Sequence, residues 1–305
     1  MNSQLITKLK EMRDLEKVAK QLFKVRAYDT VIRQLEKWDQ PINNMADIDE
    51  ANFTGIGKGI REKLGQIFKT GVIKQVEDKR NLMEAVKILS TVHGIGPTKA
   101  NELVKKHGIT TVEELADHHD LLNDVQIKGL KYYDDMQKRI PRAEMDKHNV
   151  FLTNNISSEF EIAGSYRRFE KTSGDIDVIM CDQDASAFDK VIKSLIKSKY
   201  IVEVLAHGEK KFMGICKLPR HKTFRRIDIM IMDRLRYPFA LLYFTGSREN
   251  NIRMRNKALS LGYSLNEYGM TVVKGSKSDD VIPTMLTERA IFEFLELPYL
   301  EPKNR

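Results

Sequence analysis

Two apolar segments of this chain carry carboxylates where a buried strand is expected to carry none. DIDVIM at 175–180 and RRIDIMIM at 225–232 alternate or run apolar in the manner of strands inside a sheet. Because strand side chains repeat every two residues, Asp175 and Asp177 are predicted to point to one face. At about 4 Å their repulsion is roughly 4 kcal/mol for an effective dielectric near 20. The arrangement requires a protonated acid or a bound cation, and a divalent metal ion held by oxygen ligands is the natural occupant.

The second segment supplies another carboxylate, Asp228, close to Arg225 and Arg226. An unpaired charge in such a strand is expensive, so Asp228 either pairs with a neighbouring arginine or joins Asp175 and Asp177 as a metal ligand. As a third ligand it would complete a two-metal site that activates a 3'-hydroxyl and stabilises a leaving pyrophosphate. Both interpretations stay open at this point.

Composition limits the class of protein. The 305 residues are enough for two or more domains, and the net charge of +8 with a pI near 9.2 favours a polyanionic partner. Cys181 and Cys216 have no CxxC spacing, which indicates a reducing compartment and no zinc site. No secretory signal or membrane-length apolar run is visible, so we expect a soluble, intracellular protein without membrane contact.

The periodicity changes along the chain, from helical patterns up to Ile140-Pro141 to strands mixed with single helices beyond it. That proline is the expected domain boundary. A helix at 186–199 is expected to cover one face of a sheet. The predicted strands are Glu159 to Gly164, Asp175 to Met180, Ile201 to Ala206, Lys211 to Leu218 and Arg226 to Met232.

Two Gly-Ile-Gly turns precede helices in the N-terminal part, at Gly55–Gly57 and at Gly94–Gly96. Glycines let the backbone turn tightly and approach a phosphate, and the free amides at a helix start attract the anion. With Lys58 and Lys99 following, the turns resemble the helix-hairpin-helix motif, which grips one DNA backbone without reading bases. The alternative is a tight helix–helix connection with no ligand.

Lys63 is predicted to lie at the edge of the apolar stripe of its helix, which is formed by Ile60, Leu64, Ile67 and Phe68. A partly desolvated amine has a lowered pKa and can form a Schiff base with an aldehyde. The commoner arrangement is a lysine whose stem lies along apolar surface with its ammonium in water.

Six motifs follow the glycine turns in order: GSYRR, SGDIDV, GEKKFMG, RRIDI, YFTGS and NEY. In this order and spacing they resemble the family X DNA polymerases of the nucleotidyltransferase superfamily over essentially the whole chain. The resemblance implies an α+β multidomain fold with an all-α N-terminal domain, a nucleotidyltransferase-type mixed sheet with helices, and a small C-terminal α/β subdomain. The expected domains are a helical lyase-like domain at 1–80, a helical DNA-binding subdomain at 81–140, a catalytic palm-type subdomain at 141–234 and a nucleotide-selecting subdomain at 235–305.

The resemblance also implies roles for matching residues. Asp175, Asp177 and Asp228 would hold two Mg²⁺ ions, for which Mn²⁺ could substitute, and Asp228 would help draw the proton from the primer 3'-hydroxyl. A monovalent cation, Na⁺ or K⁺, is expected at the glycine turns. The nucleotide-binding positions would be Arg139, Ser165, Arg168, Ser173, Gly174, Tyr243, Phe244, Gly246 and Asn251. The DNA-binding positions would be Gly55, Gly57, Gly94, Gly96, Lys24, Tyr28, Lys211, Arg226, Arg255 and Tyr268.

Lys63 matches the Schiff-base lysine of the family's 5'-deoxyribose phosphate lyase, and Glu62, Lys24 and Tyr28 match positions of its pocket. Three partners depart from the pattern: Phe23 replaces a histidine, and Gly59 and Gln75 replace lysines that hold the 5'-phosphate. We therefore expect a lyase that is slower or binds more weakly than the family's best-known member.

Two departures fall in the polymerase half. Met230 replaces an arginine that can pair with the second metal aspartate, so we expect an easier transition into the closed, metal-bound state. Arg248 replaces an acid beside the incoming base, so we expect tighter nucleotide binding through stacking or cation–π contact.

The resemblance implies a DNA-directed DNA polymerase that fills short gaps in base excision repair. Its substrates would be gapped or nicked double-stranded DNA and a deoxynucleoside triphosphate, and it would act as a monomer, in the nucleus if the cell is eukaryotic. Two alternatives stay open: an untemplated terminal nucleotidyltransferase, and a non-catalytic DNA-binding scaffold. The glycine turns and YFTGS favour a templated substrate, and the costly carboxylate cluster argues against a scaffold.

Overall fold

The computed structural model describes residues 2–18, 21–274 and 281–305. The described part of the chain divides into two compact units, Met1–Leu122 and Asn123–Arg305. Within it, no helix combines the length and the apolar character needed to cross a membrane.

The first unit is helical wherever it has regular structure among the described residues. Its helices are α1 Asn2–Val18, α2 Leu22–Glu36, α3 Met45–Ala51, α4 Lys58–Thr70, α5 Lys74–Leu89, α6 Pro97–His107 and α7 Val112–Ala116, with a 3-10 turn at His119–Leu121. The apolar faces of α1 to α5 form one core around Leu9, Leu35 and Leu64. Both glycine turns are followed by a helix as predicted, and Gly71 and Gly108 end those helices in the left-handed conformation.

The second unit combines a mixed sheet with helices. Its helices are α8 Asp124–Lys131, α9 Tyr133–Met136, α10 Arg142–Thr153, α11 Gly164–Arg167, α12 Ala185–Lys197, α13 Tyr237–Thr245, α14 Arg248–Ser260 and α15 Glu288–Phe294, with a 3-10 turn at Pro302–Asn304. Its strands are β1 Ile140–Pro141, β2 Glu159–Ile162, β3 Thr172–Ser173, β4 Ile176–Cys181, β5 Ile201–His207, β6 Lys211–Cys216, β7 Arg225–Met232, β8 Tyr263–Asn266 and β9 Gly269–Val272.

The main sheet has the order β2–β4–β7–β6–β5 among the described residues. Strands β4 and β7 pair in parallel, whereas the other neighbours in this sheet are antiparallel. A parallel pair needs a long crossover, and α12 with β5 and β6 provides it. The predicted strands agree with β2 and β4 to β7 within about two residues at each end. One difference is at Gly164, which begins α11 instead of ending a strand.

A core formed by the sheet, α10 and α12 includes the fully buried Phe188, Tyr200 and Phe212. A separate core unites α13, α14, α15 and the β8–β9 hairpin around Met254 and Phe292. The predicted α+β multidomain fold is confirmed. The segment Asn123–Met136 belongs to the second compact unit, and the four predicted domain boundaries stay a prediction.

The packing of α12 on the sheet predicts how substitutions on this helix change the stability of the protein. Phe188 is fully buried, so Phe188→Ala should cost about 3–5 kcal/mol of unfolding free energy through lost burial and the cavity left behind. Ile196 lies on the same helix but is 41% exposed, so Ile196→Ala should change stability by less than about 0.5 kcal/mol. Urea denaturation of both variants measures the difference, and equal losses would show that the sheet does not pack on this face of α12.

Candidate active site

The carboxylates are brought together by strand register. Asp177 on β4 is the direct neighbour of Asp228 on β7 in the parallel pair, and Asp175 comes immediately before β4. The side chains of Asp175 and Asp228 are 28% and 15% exposed, so the group is partly open to solvent although β4 and β7 are interior strands. Register therefore places Asp177 beside Asp228, with Asp175 just before β4, and the role of the three acids as metal ligands stays a prediction.

The electrostatics of this cluster favour a proton or a cation. Burial, reinforced by the charges of Asp175 and Asp228, raises the pKa of Asp177 to about 7. Burial also raises the pKa of Asp228, and the charge of Asp175 adds to the effect. The Oδ1 atom of Asp228 is buried without a hydrogen-bond partner. A buried carboxylate oxygen in this state is a vacant acceptor of the kind that hard divalent cations bind.

Arg226 supplies the positive charge nearest to the acids. One of its Nη atoms pairs with Asp175, whereas its Nε lies 3.8 Å from Asp228 Oδ1 and makes no hydrogen bond. Among the described residues, no group of three His, Cys, Asp or Glu side chains is placed so that it could hold a metal ion. Pairing of Asp228 with a neighbouring arginine is thus only partial, and the acids still fit metal ligation in charge and in ligand chemistry.

Gly164 lets the start of α11 approach the acids. Its φ is +59°, and an added Cβ would lie 2.8 Å from Asp177 Oδ2, a distance that real Cβ atoms do not show. Only glycine fits this position without displacing the carboxylate. Ser165 and Arg168 follow in and just after α11, beside Asp177. The sequence placed GSYRR at the site but missed the requirement for this glycine.

A cleft of about 630 Å³ collects most of the predicted nucleotide-binding residues. It is lined by Arg139, Gly164, Ser165, Arg168, Gly174, Asp175, Asp177, Tyr243, Phe244, Gly246, Ser247, Arg248, Asn251, Ile252 and Arg255. Ser173 is buried beside this lining, and the cleft residues that the sequence missed are Gly164, Ser247 and Ile252. Arginines from separate elements thus face the same cleft as two carboxylates, which suits a polyphosphate bound together with cations.

Hydrogen bonds fix the arginines and the helix ends around the cleft. Arg168 Nη1 donates to the Thr245 carbonyl at 2.6 Å, and Arg139 Nη2 donates to the Thr172 carbonyl at 2.7 Å. Asn251 Nδ2 donates to the Tyr243 carbonyl at 2.7 Å. The end of α13 is therefore connected both to Arg168, just after α11, and to the first turn of α14.

The remaining predicted residues of this unit occupy different surroundings. Lys211 begins β6, opposite Met230 of β7, and is exposed. Met230 itself is buried against Ala163 and Ile179. Tyr268 is 54% exposed in the turn between β8 and β9, and Arg248 is exposed at the start of α14. The effects predicted for Met230 and Arg248 stay predictions.

In the N-terminal unit, Gly55 and Gly94 both have a φ of +86°, and Gly57 and Gly96 are the residues that precede α4 and α6. A cleft of about 610 Å³ beside the first turn is lined by Phe23, Lys24, Ala27, Tyr28, Gly55, Ile56, Gly57, Gly59 and Ile60. Phe23 is 87% exposed. This cleft brings the predicted residues Lys24 and Tyr28 to the glycine turn.

Lys63 on α4 is 16% exposed, and its Nζ lies 3.5 Å from Glu62 Oε1. The predicted partial burial is confirmed, although Lys63 is not among the described residues that line the 610 Å³ cleft. Burial, with the charges of Glu16 and Glu62, raises the pKa of Tyr28 to about 12. Glu16 is buried and accepts from Lys24 Nζ at 3.3 Å.

Sequence models of known families match the chain in four consecutive stretches. A helix-hairpin-helix domain matches residues 1–73, the fingers domain of DNA polymerase lambda matches 87–137, the DNA polymerase beta palm matches 139–234 and the DNA polymerase beta thumb matches 240–305. The chain belongs to the family X DNA polymerases. The palm match contains all three acids, and the thumb match contains α14.

Curated relatives agree with this assignment. The chain is 30% identical to DNA polymerase lambda of Arabidopsis thaliana over 92% of its length and 57% of the relative. It is 28% identical to DNA polymerase lambda of Rattus norvegicus, over 100% of its length and 56% of the relative. It is 25% identical to DNA polymerase/3'-5' exonuclease PolX of Bacillus subtilis (strain 168), over 93% of its length and 51% of the relative. The chain thus spans about half the length of these relatives.

The repulsion among the acids predicts how this family X member responds to metal ions. Because the folded protein raises the pKa of Asp177, ionisation of this acid lowers the free energy of unfolding. The loss of stability grows as the pH rises from the pKa of Asp177 in the unfolded chain to its folded pKa of about 7. In EDTA near pH 8, Asp177→Asn should therefore raise the melting temperature by roughly 3 °C for each ~1 kcal/mol relieved, with a smaller gain near pH 5.

Thermal unfolding of each protein, with EDTA and with Mg²⁺, measures both the relief of repulsion and the stabilisation by the metal ion. Mg²⁺ should raise the melting temperature of the wild type more than that of Asp177→Asn, because the variant lacks one ligand. Asp189→Asn, which changes an exposed acid of α12, is the matched control and should respond as the wild type does. An equal Mg²⁺ effect in all three proteins would contradict metal binding at the acids.

Proposed function

We propose that the chain is a DNA-directed DNA polymerase that fills short gaps in base excision repair by nucleotidyl transfer to a primer 3'-hydroxyl. The observation that carries this proposal is the pairing of Asp177 with Asp228 across β4 and β7, beside a cleft lined by arginines. Carboxylates supply metal ligands, and the arginines supply a polyphosphate site. Membership of the family supports the same reaction.

The acids would hold two Mg²⁺ ions, with Mn²⁺ as a substitute, whose charge lowers the pKa of the attacking hydroxyl and neutralises the leaving pyrophosphate. Asp228 has a buried, unpartnered Oδ1 and a raised pKa, so it is the acid suited to accept the proton from the primer hydroxyl. Asp175 and Asp177 line the nucleotide cleft and would hold the cations that the phosphates bind, which would keep the phosphates in line.

The arginines and glycines of the cleft bind and orient the nucleotide. Arg139 and Arg168 would grip the triphosphate together with Ser165, Ser173 and the Gly174 turn. Across the cleft, Tyr243, Phe244 and Gly246 would line the sugar, and Asn251 and Arg255 lie one helical turn apart on α14, where both would reach the minor-groove edge of the new base pair. Arg248 would stack on the incoming base and tighten nucleotide binding.

The DNA partner is proposed to be a gapped or nicked duplex bound by one copy of the chain. The glycine turns of the N-terminal unit would hold backbone phosphates, with Na⁺ or K⁺ at their carbonyls, while Lys211, Arg226 and Tyr268 would contact the strands nearer the reaction. Affinity should fall steeply with salt and depend little on sequence. In a eukaryotic cell such an enzyme would act in the nucleus.

A duplex with a one-nucleotide gap, presented with each of the four deoxynucleotides and Mg²⁺, tests this function. Asp228→Ala should reduce templated insertion by at least about 10³-fold, because it removes a metal ligand and the proton acceptor, whereas DNA affinity should change little. Insertion that ignores the template would support a terminal transferase, and DNA binding without insertion by the wild type would support a scaffold. Asp189→Asn serves again as the control that keeps wild-type insertion.

We also propose a 5'-deoxyribose phosphate lyase activity in the N-terminal unit. Lys63 is only 16% exposed beside Glu62, and a desolvated amine next to a carboxylate can form a Schiff base with the sugar aldehyde and pass protons to the acid. The open cleft at Phe23, Gly59 and Tyr28 would admit the sugar, but it offers few cations for the 5'-phosphate.

Borohydride trapping on an incised abasic site tests the lyase. Lys63→Ala should abolish the covalent adduct, whereas Lys69→Ala, an exposed lysine on the same helix, should leave it unchanged. Gly59→Lys should strengthen substrate binding by restoring a cation for the 5'-phosphate. An adduct that persists in Lys63→Ala would place the nucleophile elsewhere.

A further inference from the structure

Glu288, the first residue of α15, is a buried carboxylate held between two arginines. It is 7% exposed, and its Oε1 accepts from Arg167 Nη1 at 3.0 Å and from Arg305 Nη1 at 2.5 Å. Its Oε2 accepts from Arg167 Nη2 at 2.8 Å, so the Arg167 pair is bidentate. We call Arg167, Glu288 and Arg305 the buried ion triad.

Arg305 is immobilised on the other side of the triad. Its side chain is fully buried, its Nε donates to the Leu300 carbonyl at 2.8 Å, and its guanidinium lies 5.3 Å from the centre of the Phe292 ring. Both charges that flank Glu288 are therefore fixed by packing, which leaves the carboxylate a single orientation.

Arg167 connects the buried ion triad to the residues at the edge of the nucleotide cleft. Its Nη1 also donates to Thr245 Oγ1 at 2.9 Å, while the next residue, Arg168, donates to the Thr245 carbonyl at 2.6 Å. Thr245 is fully buried at the end of α13 and is followed by Gly246, which lines the cleft. Two consecutive arginines thus hold one residue by its hydroxyl and its carbonyl.

The triad is poorly explained as a source of stability. A buried ion pair pays a desolvation cost that often exceeds its Coulombic gain, and apolar replacements of similar volume are frequently neutral or better. Its geometric effect is specific, because planar guanidinium forks accept few orientations. At Gly246 the clearance is small as well: an added Cβ would lie 3.3 Å from Arg168 Nη1.

We propose that Arg167, Glu288 and Arg305 are positioning residues for nucleotide selection. They hold Thr245, and through it Gly246 and Arg168, in the arrangement that admits a deoxynucleotide and orients its triphosphate. None of the three lines the cleft, so they act through Thr245 and Arg168. This inference rests on the proposed polymerase function.

Loss of the triad should act on nucleotide binding more than on chemistry. The acids of β4 and β7 lie outside the triad, so kcat should be largely kept while KM for the deoxynucleotide rises. Because Gly246 borders the sugar region of the cleft, discrimination against ribonucleotides should fall at the same time.

Thr245→Val is the sharpest probe, because it removes only the hydroxyl that Arg167 binds and leaves the Arg167–Glu288 pair intact. Glu288→Gln removes the central charge with little change of shape. Single-nucleotide gap filling should show KM raised by about 10-fold in each variant, kcat within about threefold of wild type, and a lower deoxynucleotide-to-ribonucleotide preference. Glu296→Gln, which breaks an exposed ion pair with Lys257, is the matched control and should behave as wild type.

Thermal unfolding of the same proteins separates positioning from folding. A raised KM in Thr245→Val with an unchanged melting temperature supports the inference. An unchanged KM and unchanged sugar preference in Thr245→Val overturn it, as does a loss of activity in Glu288→Gln that merely tracks the fraction unfolded. If the wild type inserts no nucleotide at all, the polymerase proposal fails and this inference fails with it, whereas insertion by the wild type with an unaffected Thr245→Val overturns the inference alone.

Discussion

The repulsion between carboxylates on adjacent parallel strands is the constraint on which the rest of this structure depends. Asp177 and Asp228 are register neighbours on β4 and β7, and Asp175 adds a third negative charge immediately before β4. The fold bears this cost on two interior strands of an otherwise apolar sheet, where burial raises the pKa of Asp177 to about 7. Cations relieve such repulsion, which is the physical basis of the metal-dependent reaction that we propose for this site.

The residues around the acids accommodate their crowding and their negative charge. Gly164 has a left-handed backbone and lies so close to Asp177 that a side chain would collide with its carboxylate, so a glycine here lets the start of α11 approach the acids. Arg226 neutralises part of the cluster through Asp175. Arginines of the cleft extend the positive potential away from the acids, which suits the binding of a polyphosphate.

The strands and the acids that they carry could be predicted from the sequence, because both can be recognised in short stretches of consecutive residues. The alternation of DIDVIM and RRIDIMIM identified strands, and the acids within them pointed to a cation. The pairing of the strands could not be predicted, because periodicity does not show that β4 lies beside β7 or that the two strands are parallel. The requirement for Gly164 could not be predicted either, since it depends on a carboxylate 13 residues later in the chain that folds back against it. Glu288 looked like an ordinary first-turn acid of a helix, and only tertiary packing reveals its two arginine partners.

Our central proposal is that Asp177 and Asp228, which are register neighbours, hold the ions for nucleotidyl transfer together with Asp175. A crystal structure with gapped DNA, a primer ending in a dideoxynucleotide, an incoming deoxynucleotide and Mn²⁺ tests it most directly through anomalous scattering. The account predicts two anomalous peaks, roughly 3.5–4 Å apart, that share Asp175 and Asp177 as ligands, with Asp228 bound to the one nearer the primer end. A ternary complex with the nucleotide in place and no peak at these carboxylates would contradict it.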